Sequence, residues 1–254
     1  MFIMYENRIV AFVDLLGFKQ WVLDSQNATD IQRSIYSVME IIHSYKTLND
    51  RGIDGGLRKL GVQVTTFSDS AVISYPLDFD GGLFHVMLDL IHMQQEILNY
   101  GVWIRGGITI GKVFHDDYNI FGPAMIEAYI LESKVANYPR VIIPQNVLYE
   151  GLKASPTHIN GFDLNLMGSL IRKDLDGYYY LDYLCQGQEF DYPETDYPEW
   201  MGKVRNALIS NLRKYNCDGI IQPNPHVFEK YQWVMQYWNH VVTPNYQIGL
   251  SDYS

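Results

Sequence analysis

Two aspartates in this chain stand where a carboxylate needs a partner. Asp14 ends the apolar run Ile9 to Val13, which reads as a strand buried on both faces. An ionised carboxylate there costs several kcal/mol unless a basic side chain or a metal ion neutralises it. Arg8 and Lys19 are the nearest basic residues in sequence, and neither is obliged by spacing to face it. Asp69 lies in VQVTTFSDSAVIS, where the apolar, β-branched runs Val62 to Phe67 and Ala71 to Ser74 flank Ser68-Asp69 as a tight hairpin. Taken alone, either aspartate reads as a turn cap. Together, two carboxylates at the ends of adjacent buried strands form a site for hard divalent cations. Just beyond Asp14, Gly17-Phe18 mark a strand-to-helix turn. Free amides at a helix start can cradle phosphate, although a plain turn favours glycine equally.

Periodicity supplies the elements that must position these residues. A helix capped by Thr29 or Asp30 runs to about Leu48, with Ile31, Ile35, Val38, Met39, Ile42 and Tyr45 on one face. Asn49 to Lys59 reads as a surface loop, and Pro76 ends the second hairpin strand. A second amphipathic helix spans about Gly82 to Tyr100, followed by a strand from Val102 to Lys112. His115 to Asn119 reads as a polar, solvated turn. Pro123 opens a third helix reaching about Val135, and Arg140 to Ile143 is a short strand before a short helix at Pro144. A last hairpin joins Leu170–Lys173 to Tyr178–Leu184 through Asp174–Gly177. The order predicts an α+β fold, a mostly antiparallel sheet covered by helices on one face. Residues 185–197 form an acidic loop, and helices over about 198–215 and 224–241 complete a C-terminal appendage. The aromatic run Tyr231, Trp233, Tyr237, Trp238 repeats at helical spacing and reads as a packing face, against the core or a second protomer.

Composition narrows the function classes. The chain has 254 residues, 47% hydrophobic and 19% charged, enough for one large domain or a domain with an appendage. A formal net charge of −10 argues against non-specific binding to nucleic acid or an anionic membrane. It leaves a nucleotide open, because a metal neutralises phosphates locally. Cys185 and Cys217 are the only cysteines, without a C-x-x-C, so neither zinc nor a disulfide framework is suggested and a reduced, cytoplasmic setting is expected. The first apolar run is cut by Asp14, and VMLDLIHM by Asp89 and His92, so neither a signal peptide nor a membrane span is expected.

F-x-D-x-x-G-F (Phe12 to Phe18) followed by a hairpin Asp69 resembles the metal-binding pattern of class III nucleotidyl cyclases. The later block IRGGITIGKVF…IFGPAMIEAYILE (Ile104 to Glu132) is similar to that family's next block. Its GPA-x-x-EAY-x-LE form resembles the pyrimidine cyclases of bacterial Pycsar antiphage systems. The resemblance covers roughly residues 8–184. It implies a ferredoxin-like cyclase core over 1–184, with 185–254 as a loop and helices packed on it.

The activity implied is conversion of a pyrimidine nucleoside triphosphate, UTP favoured over CTP, to its 3′,5′-cyclic monophosphate and pyrophosphate. Two Mn²⁺ or Mg²⁺ ions would be held by Asp14, Asp69 and the backbone carbonyl of Leu15, with Gly17 and Phe18 cradling phosphates. Thr65 and Asn119 fall where purine cyclases place their base readers; each offers a donor and an acceptor, which leaves room for a smaller base. Ile126 and Ile130 fall where familiar cyclases carry an Asn and an Arg that stabilise the transition state. Arg105, Lys134, Arg140, Arg172 and Lys173 are the basic residues near the predicted sheet edges that could reach a triphosphate. The resemblance also implies a homodimer with shared active sites and a separately encoded effector that answers to the cyclic nucleotide. The alternatives are a degenerate cyclase fold that binds nucleotide without turnover, and another two-metal nucleotide enzyme.

Overall fold

The computed structural model describes residues 4–48, 61–154, 161–216 and 225–253. Its strands are β1 (Glu6–Leu15), β2 (Gln63–Phe67), β3 (Ser70–Pro76), β4 (Ile104–His115), β5 (Ile120–Phe121), β6 (Val141–Ile143), β7 (Ile171–Lys173) and β8 (Tyr179–Leu181). They form one sheet in the order β2-β3-β1-β4-β6-β8-β7, with β5 paired to β4. Among the described residues, only the β4–β6 ladder is parallel. The helices are α1 (Phe18–Asp24), α2 (Thr29–Leu48), α3 (Gly82–Leu98), α4 (Pro123–Ile130), α5 (Gln145–Ala154), α6 (Gly161–Ser169), α7 (Asp196–Tyr215), α8 (Pro225–Val241) and α9 (Leu250–Tyr253).

This is the expected α+β architecture, and β1 is the strand around which it is built. Its neighbours β3 and β4 both run antiparallel to it, in registers that set Asp14 opposite Ser70 on one side and Arg105 on the other. Strand alternation then divides the sheet. Ile9, Ala11, Val13 and Leu15 join Ala71, Ile73 and Tyr75 in the main core, under α2, α3 and the C-terminal helices. Val10, Phe12 and Val72 face the other way and pack with Val113, Ala124 and Ala128. The second face therefore also carries a helix, α4, which corrects the expectation that helices cover one face only. The reason is the parallel β4–β6 pair: a parallel connection must cross over the sheet, and α4 lies in that crossover.

Several sequence expectations shift. β4 runs on to His115, which is 9% exposed rather than part of a solvated turn. The helix expected over residues 123–135 loosens at Leu131–Val135 into a π turn. Helix α6 was not foreseen; its nine residues carry too few periodic positions to stand out. The expected loop at 49–59, and Cys217, lie outside the described residues. The aromatic face of α8 packs on the chain's own core: Tyr231, Val234, Tyr237 and Trp238 are buried there together with Trp200, Val204, Leu208 and Leu212 of α7. The Tyr237 hydroxyl donates to Asp182 at 2.5 Å and accepts the Leu184 amide. Among the described residues, no helix is long and apolar enough to cross a membrane.

One half-buried carboxylate gives a stability prediction. Asp89 interrupts the apolar face of α3 and accepts the Tyr75 hydroxyl at 2.7 Å. Burial pushes it up to about 6, against the pull of that hydrogen bond and of His92. Because the folded value lies above the unfolded one, ionised Asp89 weighs against folding at high pH. Asp89→Asn is expected to raise the melting temperature at pH 8, by an amount equivalent to roughly 2–3 kcal/mol. The advantage should narrow as the pH falls from about 6 towards the ordinary carboxylate value of about 4. Parallel thermal melts of the two proteins across that range check it; a gap that widens at low pH would reverse the assignment.

Candidate active site

The end of β1 and the β2–β3 turn meet as the two aspartates require. Ser70 Oγ donates to Asp14 Oδ1 at 3.0 Å, and Arg105 Nη2 lies 3.7 Å from Asp14 Oδ2. The Leu15 amide donates to the Asp69 carbonyl at 3.1 Å, which ties the hairpin turn to the strand end. Ser68 takes a left-handed conformation (φ 52°) to make that two-residue turn. The Leu15 side chain goes to the opposite, core face, so only its main chain is available on the site side.

Asp14 is held above the ordinary carboxylate range. Burial is the main cause and the Asp69 charge adds to it; the Ser70 hydrogen bond and Arg105 oppose them without prevailing. Two neighbouring carboxylates short of positive charge fit a divalent cation. Among the described residues, no three His, Cys, Asp or Glu side chains gather as a metal cluster. The candidate is thus a two-carboxylate site in which main-chain oxygens and the ligand itself complete the shell. Gly17 follows with φ +78°, a conformation that suits glycine, and opens α1 without a side-chain cap. The first amides of α1, beginning at Phe18, therefore have neither an intrahelical acceptor nor a side-chain cap.

Two further charges join this group. Glu132, 3% exposed, sits 2.6 Å from Arg105 Nε, so Arg105 lies between two carboxylates. Burial raises Glu132, with the Asp14 charge adding and Arg105 opposing. The π turn sets Glu132 there. Its neighbour Leu131 lies directly over Gly107, where a Cβ would come within 2.3 Å of the leucine Cβ. The glycine in IRGG is thus what lets the turn settle on β4. The second charge is Lys230 of α8. Burial lowers it and Arg105 lowers it further, while Glu132 and Asp14 pull it back up. Helix α8 is anchored at this end of the sheet by Tyr231, whose ring packs edge-on against Trp103 at 5.5 Å. Neither residue was foreseen. Glu132 stood in the GPA-x-x-EAY-x-LE block without a role, and nothing local marks Lys230.

The remaining candidates fall elsewhere. The Thr65 hydroxyl is 2.9 Å from His115 Nε2, in a buried chain that continues to Ser74 and Arg8. β4 pairs with β1, yet its end curls across the sheet far enough for His115 to touch both β2 and β3. Asn119 is exposed, and its amides are engaged by Asp116 Oδ1. Lys134 faces solvent on the π turn. Arg140 does not reach the site: it is 1% exposed, paired with Asp174 and Asp176 and set against the Tyr138 and Trp233 rings. Arg172 is held by Asp182 at 2.5 Å. Ile126, Tyr129 and Ile130 line the outer surface of α4, 61%, 50% and 46% exposed.

No family model matches the sequence. No curated protein matches it either. Solved structures do overlap with the chain. One is the monomeric guanylyl cyclase domain of the RhoGC fusion protein from the aquatic fungus Blastocladiella emersonii, at 18% identity and a TM-score of 0.46 over 70% of this chain and 95% of that one. A bacterial light-regulated adenylyl cyclase overlaps at 14% identity and 0.44, over 80% and 98%. A class III adenylyl cyclase-like ATP-binding protein from Pseudomonas aeruginosa overlaps at 12% and 0.41, over 58% and 35%. At these values the likeness decides neither family nor activity.

Proposed function

We propose that this chain is a metal-dependent nucleotidyl cyclase acting on a pyrimidine nucleoside triphosphate, UTP before CTP. The observation that carries the reading is the meeting of Asp14 and Asp69 at the end of β1, beside the uncapped turn at Gly17 and with Arg105 at hand. Asp14, Asp69 and the Leu15 carbonyl would hold two Mg²⁺ or Mn²⁺ ions. Bound there, such ions supply charge neutralisation at the attacking and leaving oxygens and acidify the ribose 3′-hydroxyl.

The chain's own groups do the rest. The amides at the start of α1 bind the β- and γ-phosphates, and Ser70 fixes the Asp14 carboxylate in one orientation. Arg105 turns its outer nitrogens to the polyphosphate while Glu132 holds its Nε. Thr65 and Asn119 read a base that is too small for the purine pattern. The catalytic unit is residues 1–184, and residues 185–254 lend Lys230 to it. The Pycsar-like block at Gly122 to Glu132 supports a pyrimidine substrate, a role in antiphage defence and an effector encoded elsewhere. Incubating the protein with each of the four ribonucleoside triphosphates and Mn²⁺ tests the reading: a cyclic pyrimidine monophosphate is expected, whereas a linked dinucleotide overturns it. The exposed Ile126 and Ile130, which offer no polar group, favour one second reading, nucleotide binding without turnover. Tight binding with no product in the same assay would select it.

The apolar outer surface of α4 also bears on assembly. A two-fold dimer would cover Ile126, Tyr129 and Ile130 and build two equivalent sites from groups of both chains. Arg105 sits beside Asp14 of its own chain rather than facing a partner's metals, so the test falls on the covered face: Ile126→Glu/Ile130→Glu is expected to sediment as a monomer and to lose turnover. Full activity from a species that sediments as a monomer rules the shared site out.

A further inference from the structure

Buried polar groups on the α4 face of the sheet form a chain whose direction can be worked out atom by atom. Arg8 is 3% exposed and Ser74 fully buried. Arg8 Nε donates to Ser74 Oγ at 2.9 Å, and its Nη2 donates to the carbonyls of Ser74 (3.0 Å) and Gly61. Ser74 Oγ lies 2.8 Å from His115 Nδ1, and His115 Nε2 lies 2.9 Å from Thr65 Oγ1. An arginine can only donate, so the chain has a fixed origin. His115 is neutral, its value lowered to about 3 by burial and by the Arg8 charge, so its ring carries a single N–H.

Two tautomers are then possible in principle. With the proton on Nδ1, Ser74 Oγ would accept from both Arg8 and His115. Its own hydrogen would be left without an acceptor in a site closed to water, at a cost of about 1–3 kcal/mol. With the proton on Nε2, Ser74 accepts from Arg8 and donates to Nδ1, and every group as far as Thr65 is satisfied. The loose end then falls on the Thr65 hydroxyl hydrogen, and Thr65 is the member that keeps 7% exposure while Ser74 keeps none.

We infer that the Arg8–Ser74–His115 chain positions Thr65 with its hydroxyl hydrogen turned outward, as a hydrogen-bond donor that favours a carbonyl oxygen over an amino group at position 4 of a pyrimidine. This deepens the reading of Thr65 under the proposed function and rests on it. A keto base such as uracil satisfies the donor at position 4, where cytosine presents an amino group that cannot. His115 is a positioning residue, and Thr65 determines specificity. The hydroxyl keeps a second acceptor lone pair beside the one taken by His115 Nε2–H, but using it for an amino group would leave its own hydrogen without an acceptor, at about 1–3 kcal/mol.

Two measurements test this. In protein with ¹⁵N-labelled histidine, long-range ¹H–¹⁵N correlation at neutral pH should show His115 protonated at Nε2, the resonance being assigned by its loss in His115→Gln. Calorimetric titration with the non-cyclisable α,β-methylene analogues of UTP and CTP in Mg²⁺ should show the UTP analogue preferred. Thr65→Val should weaken the UTP analogue at least tenfold and narrow the preference, whereas Thr65→Ser stays near wild type. Protonation at Nδ1, or discrimination left intact by Thr65→Val, overturns the inference while leaving the cyclase reading standing. Failure of the wild-type protein to bind either analogue overturns the cyclase reading, and the base selection with it.

Discussion

Replacement of Asp14 or Asp69 by Ala is expected to remove cyclase turnover by at least ~10³-fold, roughly 4 kcal/mol of lost transition-state stabilisation, while leaving the metal-free fold intact or firmer. Both halves follow from the same geometry. Asp14 is half-buried beside a like charge, and Arg105 at 3.7 Å does not make up the deficit. Removing either carboxylate relieves that repulsion. What is given up is one hydrogen bond from Ser70 at 3.0 Å, which Asp14→Asn retains. Without divalent ions, then, Asp14→Asn should melt at or above the wild-type temperature. With Mn²⁺ in excess the order should reverse, because the wild type gains stability by binding the ion and the variant does not. Thermal melts with and without Mn²⁺, beside turnover assays, check both statements. A variant that keeps near wild-type turnover and the Mn²⁺-induced rise sinks the metal assignment.

The parts of this site legible in the sequence were those written locally. Asp14 and Asp69 stood out because each interrupts an apolar run, and Gly17 because a glycine after a buried strand signals a turn. Which face Asp14 takes was not legible, because a strand buried on both faces names neither; the structure sets it opposite the main core. The contributions that stayed hidden depend on distant pieces meeting. His115 follows a strand and precedes two aspartates, the pattern of a solvated turn. Its burial comes from the curl of β4 over β2 and β3, which no spacing encodes. Glu132 sat at regular helical spacing, but in the structure it lies in the π turn after α4, against Arg105, and that turn packs where Gly107 has no Cβ. Lys230 is one ordinary lysine on an amphipathic helix almost a hundred residues further on, and only the seating of Tyr231 on Trp103 brings it in.

Lys230 carries the second large expectation. Helix α4 offers Ile126 and Ile130 where the resemblance implies a polar pair, so on the proposed function positive charge for the leaving pyrophosphate comes from other elements, Arg105 of β4 among them. Besides Arg105, Lys230 is a cation whose charge feels Asp14, Arg105 and Glu132 together. A fixed ammonium in a partly desolvated site is worth far more against developing charge than in water. Lys230→Met should therefore lower kcat by about 10²-fold, near 3 kcal/mol, with a melting temperature close to wild type and the Mn²⁺-induced rise preserved. Lys230→Arg, which keeps the charge with a different shape, should recover part of the rate. The competing account makes Lys230 only a counter-ion for buried Glu132. On that account Lys230→Met destabilises the protein, and adding Glu132→Gln, which removes the uncompensated charge, restores both stability and turnover. If the lysine instead meets the phosphates, the double variant regains stability at most and stays slow. Turnover and melting temperature measured on the two single variants and the double separate these outcomes. Wild-type kcat in Lys230→Met would exclude the ammonium from the chemical step.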